Sequence, residues 1–414
     1  MKNLVILGAG TAGTMMANHL RKKLSKSEWD ITIVDKEETH YYQPGFLFVP
    51  FDIYQPEMVK KSIDQFIPNG VNLVREKIEL IAKDQNEVVL NSGKVLKYDI
   101  LILATGTDIA PDEIEGMLGD HWYRDVFDFY TYEGSSKLRE KLMNWEGGKL
   151  VVHIAEMPIK CPVAPLEFAF LADSFFKNKG IRDKVDITFV TPMDGAFTKP
   201  IAAKKLSYLL DEKKIKLVDN FNIERVDAQN KKIIDYAEEE VDYDLLVTVP
   251  TNMGSDLMER SGIGDDLNFV PTNKHTLQTT VKDNIFAIGD CTNLPASKAG
   301  SVAHFEAEIL TDNIIRYVEG LPLKEEFDGH SNCFVETGNG KALLIDFNYD
   351  QEPVTGTFPI PGVGPLKLLT ETKANHLGKL AFRWVYWNML IKGRPIPFVS
   401  ATMNKKGKDI KESV

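Results

Sequence analysis

Residues 3–13 read Asn-Leu-Val-Ile-Leu-Gly-Ala-Gly-Thr-Ala-Gly, and residues 31–35 read Ile-Thr-Ile-Val-Asp. The first run is a short apolar strand, Asn3–Leu7, that meets a glycine turn at once. Thr14–Leu24 then has helical composition, and Ile31–Asp35 is a second strand ending in an acid. This is the dinucleotide fingerprint in its structural setting. Gly8 permits the tight turn, Gly10 lets the backbone approach a pyrophosphate, and Gly13, beside Ala12, allows close helix–strand packing. The helix N-terminus faces the phosphates, and Asp35, followed by Lys36, accepts from a ribose hydroxyl. A glycine triplet alone is a weak signal; between two such strands it predicts an α/β nucleotide-binding unit.

A second unit follows the same plan. Lys149–Ala155 is an apolar, β-branched strand, Leu166–Phe176 a helix and Val185–Thr191 a further strand, so the segment reads βαβ. Its turn, Pro158-Ile159-Lys160-Cys161-Pro162-Val163-Ala164-Pro165-Leu166-Glu167, holds no glycine. A site for a nicotinamide dinucleotide needs glycine there. The frame is present, the phosphate cradle is missing, and a thiol stands in its place. Pro162 suits a first helical position, which puts Cys161 at a helix entrance, where the dipole is expected to favour thiolate.

The chain as a whole sets limits. Its 414 residues predict two or three domains, and a net charge of −11 argues against nucleic acid as a partner. Three cysteines, Cys161, Cys291 and Cys333, are too few for a disulfide-stapled secreted fold and fit no zinc spacing, so no metal is expected. No run spans a bilayer and no signal peptide is read, which predicts a cytoplasmically made protein, at most peripheral (monotopic) on a membrane. A homo-oligomer is compatible with the sequence and not required by it.

Two later strands narrow the ligand. Tyr98–Gly106 ends in Ala104-Thr105-Gly106, and Asp283–Asp290 ends in Gly289-Asp290. These resemble the accessory signatures of two-dinucleotide flavoproteins of the glutathione-reductase type. The resemblance implies FAD, with Asp290 on the ribityl chain, and two Rossmann-like domains. The expected division is residues 1–110 with 245–325 for FAD, 111–244 for the second unit, and 326–414 for a C-terminal α+β region. Between them, Ile201–Lys213 reads as a helix, Lys216–Asp242 as hairpin material, and Asp244–Pro250 as a strand returning to the first domain. The helix Ala299–Glu319, opening with Gly300 and carrying Ala303, is expected to aim its N-terminus at the flavin. Lys298 adds charge there or is a solvated loop lysine. Cys291 reads as a buried, inert thiol near the FAD phosphates.

In the C-terminal region, Asn332–Thr337 and Lys341–Asn348 read as strands, Phe358–Pro365 as a Pro/Gly-rich loop, and Lys373–Lys392 as an amphipathic helix. Aromatic and basic residues beside an apolar face suit a helix lying on a membrane; a core-facing helix is the alternative.

Taken together, His40–Gly45 with Gln43 and Pro44, the Cys161–Glu167 turn, Ser297–Gly300 and Cys333-Phe334 resemble the sulfide:quinone oxidoreductases over nearly the full chain. That resemblance implies a redox pair, Cys161 and Cys333, beside one face of the flavin. Hydrosulfide attacks their bridge, sulfur leaves as polysulfide or zero-valent sulfur, and two electrons pass through FAD to a quinone. Glu167 manages protons with a raised pKa, or serves only the helix dipole. Phe334 is the expected ring-stacking aromatic for quinone, with Phe347, Ile360, Phe382 and Trp384 as further candidates. Many members carry a third cysteine where this chain reads His121–Glu133, and this chain has none. Tyr41 and Tyr42 replace the cysteine that tethers flavin in the related flavocytochrome c dehydrogenases, so FAD is expected to be non-covalent. The alternatives are a flavocytochrome-type sulfide dehydrogenase subunit, a type II NADH:quinone oxidoreductase and a non-catalytic redox sensor.

Overall fold

The computed structural model describes residues 1–410. Two five-stranded parallel sheets form its frame. In the first, the strand Lys2–Leu7 sits centrally, flanked by Ile100–Leu103 and Ile285–Ala287 on one side and by Trp29–Val34 and Asn72–Val74 on the other. The helix Thr11–Lys23 leaves the glycine turn as expected. A Cβ at Gly13 would overlap the Gly8 carbonyl oxygen, so helix and strand approach as closely as the fingerprint requires.

The second sheet orders Val126–Phe127, Leu245–Val249, Gly148–Ile154, Val185–Val190 and Lys216–Val218. This corrects one expectation: the Asp244–Pro250 strand does not return to the first domain. It pairs with Gly148–Ile154, so the second unit continues through Val249. All five of its residues are buried; a strand covered on both faces fits either parallel sheet, and its composition does not name its neighbours. The helix Ala164–Asn178 is buried nearly all round, with Leu166, Phe168, Ala169, Phe170, Ala172 and Phe176 wholly inaccessible. It packs against Gly148–Ile154 and Val185–Val190 and also against the C-terminal strand Ser331–Gly338.

The C-terminal region is built on two hairpins. Ser331–Gly338 pairs with Lys341–Phe347, and Thr355–Ile360 pairs with Gly364–Leu368. The stretch read as a loop at Phe358–Pro365 is therefore largely strand: Pro359 and Pro365 sit opposite each other in its ladder, so their missing donors coincide, and Pro361 lies in the turn. The helix Lys373–Asn388 covers both hairpins and continues into a short turn, Leu390–Lys392, that docks on the first nucleotide helix. Asn18 Nδ2 donates to the Ile391 carbonyl at 3.1 Å and Lys22 Nζ to the Gly393 carbonyl at 2.7 Å. Thr11 Oγ1 and His40 Nε2 meet the Tyr386 hydroxyl at 2.6 and 2.7 Å. No helix among the described residues is long and apolar enough to cross a membrane.

Candidate active site

Cys161 lies three residues before the Ala164–Asn178 helix, with φ +84°, a left-handed conformation that a non-glycine residue adopts only when its surroundings hold it. Its carbonyl accepts from Ala164 N–H at 2.8 Å and from the Tyr130 hydroxyl at 3.2 Å. Tyr130 is placed in turn by Asp128, a buried carboxylate accepting from the Tyr130 and Thr131 N–H groups at 2.8 and 2.7 Å. Cys333 arrives on the strand Ser331–Gly338, which the same helix packs against. The two thiols are unbridged and part-buried; burial raises the pKa of each, the Glu167 carboxylate adds to it and the Lys379 ammonium opposes it.

Glu167 is wholly buried. Its Oε1 accepts the Glu336 N–H at 2.6 Å and the Lys379 ammonium, while Oε2 has no protein partner. Burial pushes its carboxyl up to about 7, with Lys379 pulling the other way. The ammonium also donates to the Phe334 carbonyl at 3.2 Å, and the carboxylates of Glu167 and Glu336 hold its pKa up. Beyond it, both carboxylate oxygens of the buried Glu336 lie 2.9 Å from His376 Nδ1.

The expectation of an easily ionised Cys161 is reversed. Burial first, and then the Glu167 carboxylate, push its thiol up, and Cys333 is pushed up to about 12 for the same two reasons. A helix N-terminus is worth about 0.3–2 kcal/mol, too little against loss of hydration plus a nearby carboxylate. Pro162 also falls outside the helix, whose early proline is Pro165.

The Ser331–Gly338 strand separates two compartments. Side chains alternate across it, and Cys333 opposes Ile345, so Cys333, Val335, Ile345 and Phe347 share one face. Phe334 and Glu336 point the other way, under the C-terminal helix. Phe334, like Phe358 and Leu366, packs against the buried cluster Leu344, Val354, Leu368 and Met403, and a Cβ at Gly378 would come within 3.0 Å of its ring. Phe382 is part-buried with its ring 6.5 Å from that of Tyr42, Trp384 is exposed, and Ile360 ends its strand at the second hairpin's turn. Phe347 is not gathered with these; it is buried on the thiol face, with Lys199 Nζ 5.4 Å from its ring.

The nucleotide-site residues converge. Gly289 brings its Cα into the angle between Ala12 and Ala303, whose methyl groups lie 3.1 and 3.9 Å from a built Cβ. Gly10, Gly106 and Gly300, from three separate elements, face open space: a Cβ on any of them meets no protein atom within 4 Å. The neighbouring Thr105 hydroxyl is buried without a partner. Bare backbone at the glycine turn, after Thr105 and at the Gly300 helix start, with an orphaned hydroxyl beside one of them, is the donor chemistry a phosphate-containing ligand needs. Asp35 accepts the N–H groups of Ala9 and Glu37 at 2.6 and 2.9 Å, so it braces the glycine turn. Lys36 is exposed beside Glu37, Gln43 is exposed and Pro44 part-buried in the turn Gln43–Gly45. Asp290 is part-buried near Lys298 and Lys160. Lys298 differs from expectation. Its ammonium donates to the Asp290 and Thr292 carbonyls at 2.8 and 2.6 Å and lies 3.9 Å from the Phe269 ring centre, so it clamps the Gly289–Cys291 turn rather than presenting free charge. Cys291 is buried, its thiol donating to the Leu103 and Ile288 carbonyls.

Sequence reasoning missed Tyr130, Glu336, His376 and Lys379. Lys379 was read as part of a basic, interfacial face. Helical spacing puts it with Asn375 and Tyr386 on the buried side, while Leu377, Ala381 and Trp384 face outward, Leu377 and Trp384 being 64% and 62% exposed. Among the described residues no group of His, Cys, Asp and Glu is arranged to hold a metal.

Two nucleotide-type sheets, one cradle with its glycines and one replaced by a thiol, define a flavoprotein oxidoreductase. Residues 2–307 match the family model described as pyridine nucleotide-disulphide oxidoreductase. The mitochondrial sulfide:quinone oxidoreductase of Dictyostelium discoideum is 30% identical, covering 94% of this chain and 86% of its own length. That of Mus musculus is 26% identical over the same shares. The crystal structure of the sulfide:quinone oxidoreductase from Aquifex aeolicus superimposes with a TM-score of 0.77 at 22% identity, covering 95% of this chain and 92% of that one. The chain belongs to the pyridine nucleotide-disulphide oxidoreductases and, within them, to the sulfide:quinone oxidoreductase family.

Proposed function

We propose that this protein oxidises hydrosulfide at the Cys161–Cys333 pair and passes two electrons through a non-covalently held FAD to a quinone at a membrane surface. The observation that carries this is the packing of the helix that follows Cys161 against the strand that holds Cys333, tied by Glu167 accepting the Glu336 N–H, in a unit whose nicotinamide cradle is absent. Gly8, Gly10 and Gly13 with Asp35, Ala104–Gly106, Gly289-Asp290 and Gly300–Ala303 would hold the FAD. When bound, FAD supplies the two-electron carrier between sulfur and quinone.

The chain's own residues do the rest. Hydrosulfide attacks one sulfur of the oxidised pair, the S–S bond breaks, and one cysteine keeps a persulfide while its partner leaves as thiolate. Closing the pair again with sulfur inserted releases two electrons and one proton. Glu167 Oε2, buried and unpartnered, is the base placed to take that proton, and a pKa near 7 suits it. The left-handed turn at Cys161, held by Tyr130, fixes the direction of its thiol. On the far side of the strand, Phe334 beneath the C-terminal helix and Phe382 on that helix form the quinone site, and Phe347 stays with the sulfur compartment. Leu377, Trp384, Val363 and Phe398 are each more than half exposed, which supports contact with lipid, where quinone is found.

Replacing Cys161 by Ser should abolish sulfide-dependent quinone reduction while FAD stays bound at full occupancy. Unchanged turnover would reject the role given to this thiol. In stopped-flow mixing, sulfide should bleach the flavin of the native protein and NADH should not. Bleaching by NADH would favour a dehydrogenase, and bleaching by neither a redox sensor.

A further inference from the structure

The reaction just proposed does not balance in protons within the site. Hydrosulfide gives up one proton and two electrons as it becomes zero-valent sulfur; a quinone taking two electrons takes two protons. One proton per turnover therefore enters from solvent, on the quinone side. On that side, among the described residues, a buried acid–base cluster reaches water at one member. Glu336 is wholly buried and shares the Phe334 face of its strand. Its two carboxylate oxygens both lie 2.9 Å from His376 Nδ1. The His376 side chain is 20% exposed, whereas those of Glu336 and Glu167 are at 0% and that of Lys379 at 11%.

Charge balance points the same way. Glu167 and Glu336 set two carboxylates against one ammonium, and the one buried negative charge left uncompensated is costly. A protonated His376 supplies the missing positive charge, and it is the member that exchanges protons with bulk water. The groups facing this pair from neighbouring elements are Glu167 on the buried helix, Lys379 on the same helix as His376, and Tyr54, on whose ring Arg383 stacks at 4.5 Å. Burial works against the Lys379 charge, and the carboxylates of Glu167 and then Glu336 support it. The lysine's flexible stem lets its ammonium swing from the Phe334 carbonyl toward the Glu336 carboxylate.

We propose that His376 and Glu336 form the inlet through which one solvent proton per turnover reaches the buried Lys379–Glu167 pair and, from it, the quinone. The inlet rests on the function proposed above. In each cycle the Nδ1 proton of His376 passes to a Glu336 oxygen, Glu336 returns a proton toward Lys379 as the lysine donates inward, and His376 is reprotonated from water. No bond other than those to hydrogen changes.

The test uses the FAD-loaded protein and three variants, His376→Gln, His376→Ala and Glu336→Gln. The flavin is bleached with one equivalent of sulfide and then mixed with a soluble quinone analogue across pH 5.5–9. In the native protein, recovery of flavin absorbance should slow as pH rises through the titration of His376, which its carboxylate partner holds above the ordinary histidine value. His376→Gln should be slower by on the order of tenfold or more and nearly flat with pH. Added imidazole should restore the rate of His376→Ala, a rescue that a purely structural role does not allow. A second readout needs no turnover: carbethoxylation of His376 by diethyl pyrocarbonate, followed by peptide mass spectrometry, should show its midpoint falling to an ordinary histidine value in Glu336→Gln. An unchanged pH profile in His376→Gln, absence of imidazole rescue, or an unmoved labelling midpoint would each overturn the inlet. Native flavin that sulfide fails to bleach would overturn the underlying function, and the inlet with it.

Discussion

Glu167→Gln tests the electrostatics of the thiol pair directly. The substitution keeps a carbonyl oxygen for the Glu336 N–H and removes one buried negative charge, leaving the Lys379 ammonium beside both sulfurs. At an effective dielectric of ~20, a unit charge ~6 Å away is worth about 2.8 kcal/mol, or ~2 pKa units. Cys333, pushed up to about 12 by burial and Glu167, should therefore drop by about that much, and Cys161 should move with it. At pH 8 the thiolate fraction rises ~100-fold, while the nucleophilicity of each thiolate falls ~8-fold, so alkylation should quicken about tenfold. The assay is iodoacetamide labelling of the reduced protein, resolved by peptide mass spectrometry. Lys379→Met supplies the contrast. Without the ammonium, only the Glu336 N–H hydrogen bond still opposes the burial that already lifts the Glu167 carboxyl to about 7, so the carboxyl takes up a proton and both charges vanish together. Labelling of the two cysteines should then change less than ~3-fold at pH 7. If Glu167→Gln labels no faster than native protein while Lys379→Met labels much more slowly, the assignment of which charge governs the thiols is wrong.

Two further outcomes are expected. Gly10→Ala should leave the apo-protein as stable as native, within about 0.5 kcal/mol, because its Cβ meets no protein atom, yet flavin content on purification should fall sharply. Gly13→Ala should destabilise the fold itself by roughly 1–3 kcal/mol or more in thermal denaturation of the apo-protein, since its Cβ would overlap the Gly8 carbonyl. Equal flavin retention in both variants would contradict the placing of the cradle. Leu377→Asp with Trp384→Asp should leave the exposed helix face polar, and flotation with lipid vesicles should weaken at least tenfold, given about 1.5–3 kcal/mol per large apolar side chain removed from the bilayer interface. Undiminished flotation would move the lipid contact elsewhere.

What the sequence disclosed follows from how local each signal is. The Gly8–Gly13 turn was legible because strand, turn, helix and acid are contiguous and each residue's task is set by its immediate neighbours. The convergence of Cys161 and Cys333 came only by resemblance, because nothing local couples a helix entrance to a strand so far along the chain. Leu245–Val249 was recognised as a buried strand and given the wrong sheet, since an apolar run states that it is covered and not by what. The ionisation of Cys161 was read with the wrong sign: a helix terminus is visible in sequence, while the depth of burial and the Glu167 carboxylate beside it are tertiary facts. Phe334 and Phe347 were grouped by residue type, but a strand register with Cys333 opposite Ile345 puts them in separate compartments. Lys379 is the most instructive case. Its phase with Asn375 and Tyr386, against Leu377, Ala381 and Trp384, was present in the sequence. A lysine defaults to the wet face only when the apolar face has somewhere dry to go within the chain. Here the Glu167 carboxylate draws the ammonium inward among Tyr386 and Trp387, while Leu377 and Trp384 stay outside. Leu377 and Trp384, 64% and 62% exposed on one helix face, are the residues on which the flotation test of the proposed lipid contact turns.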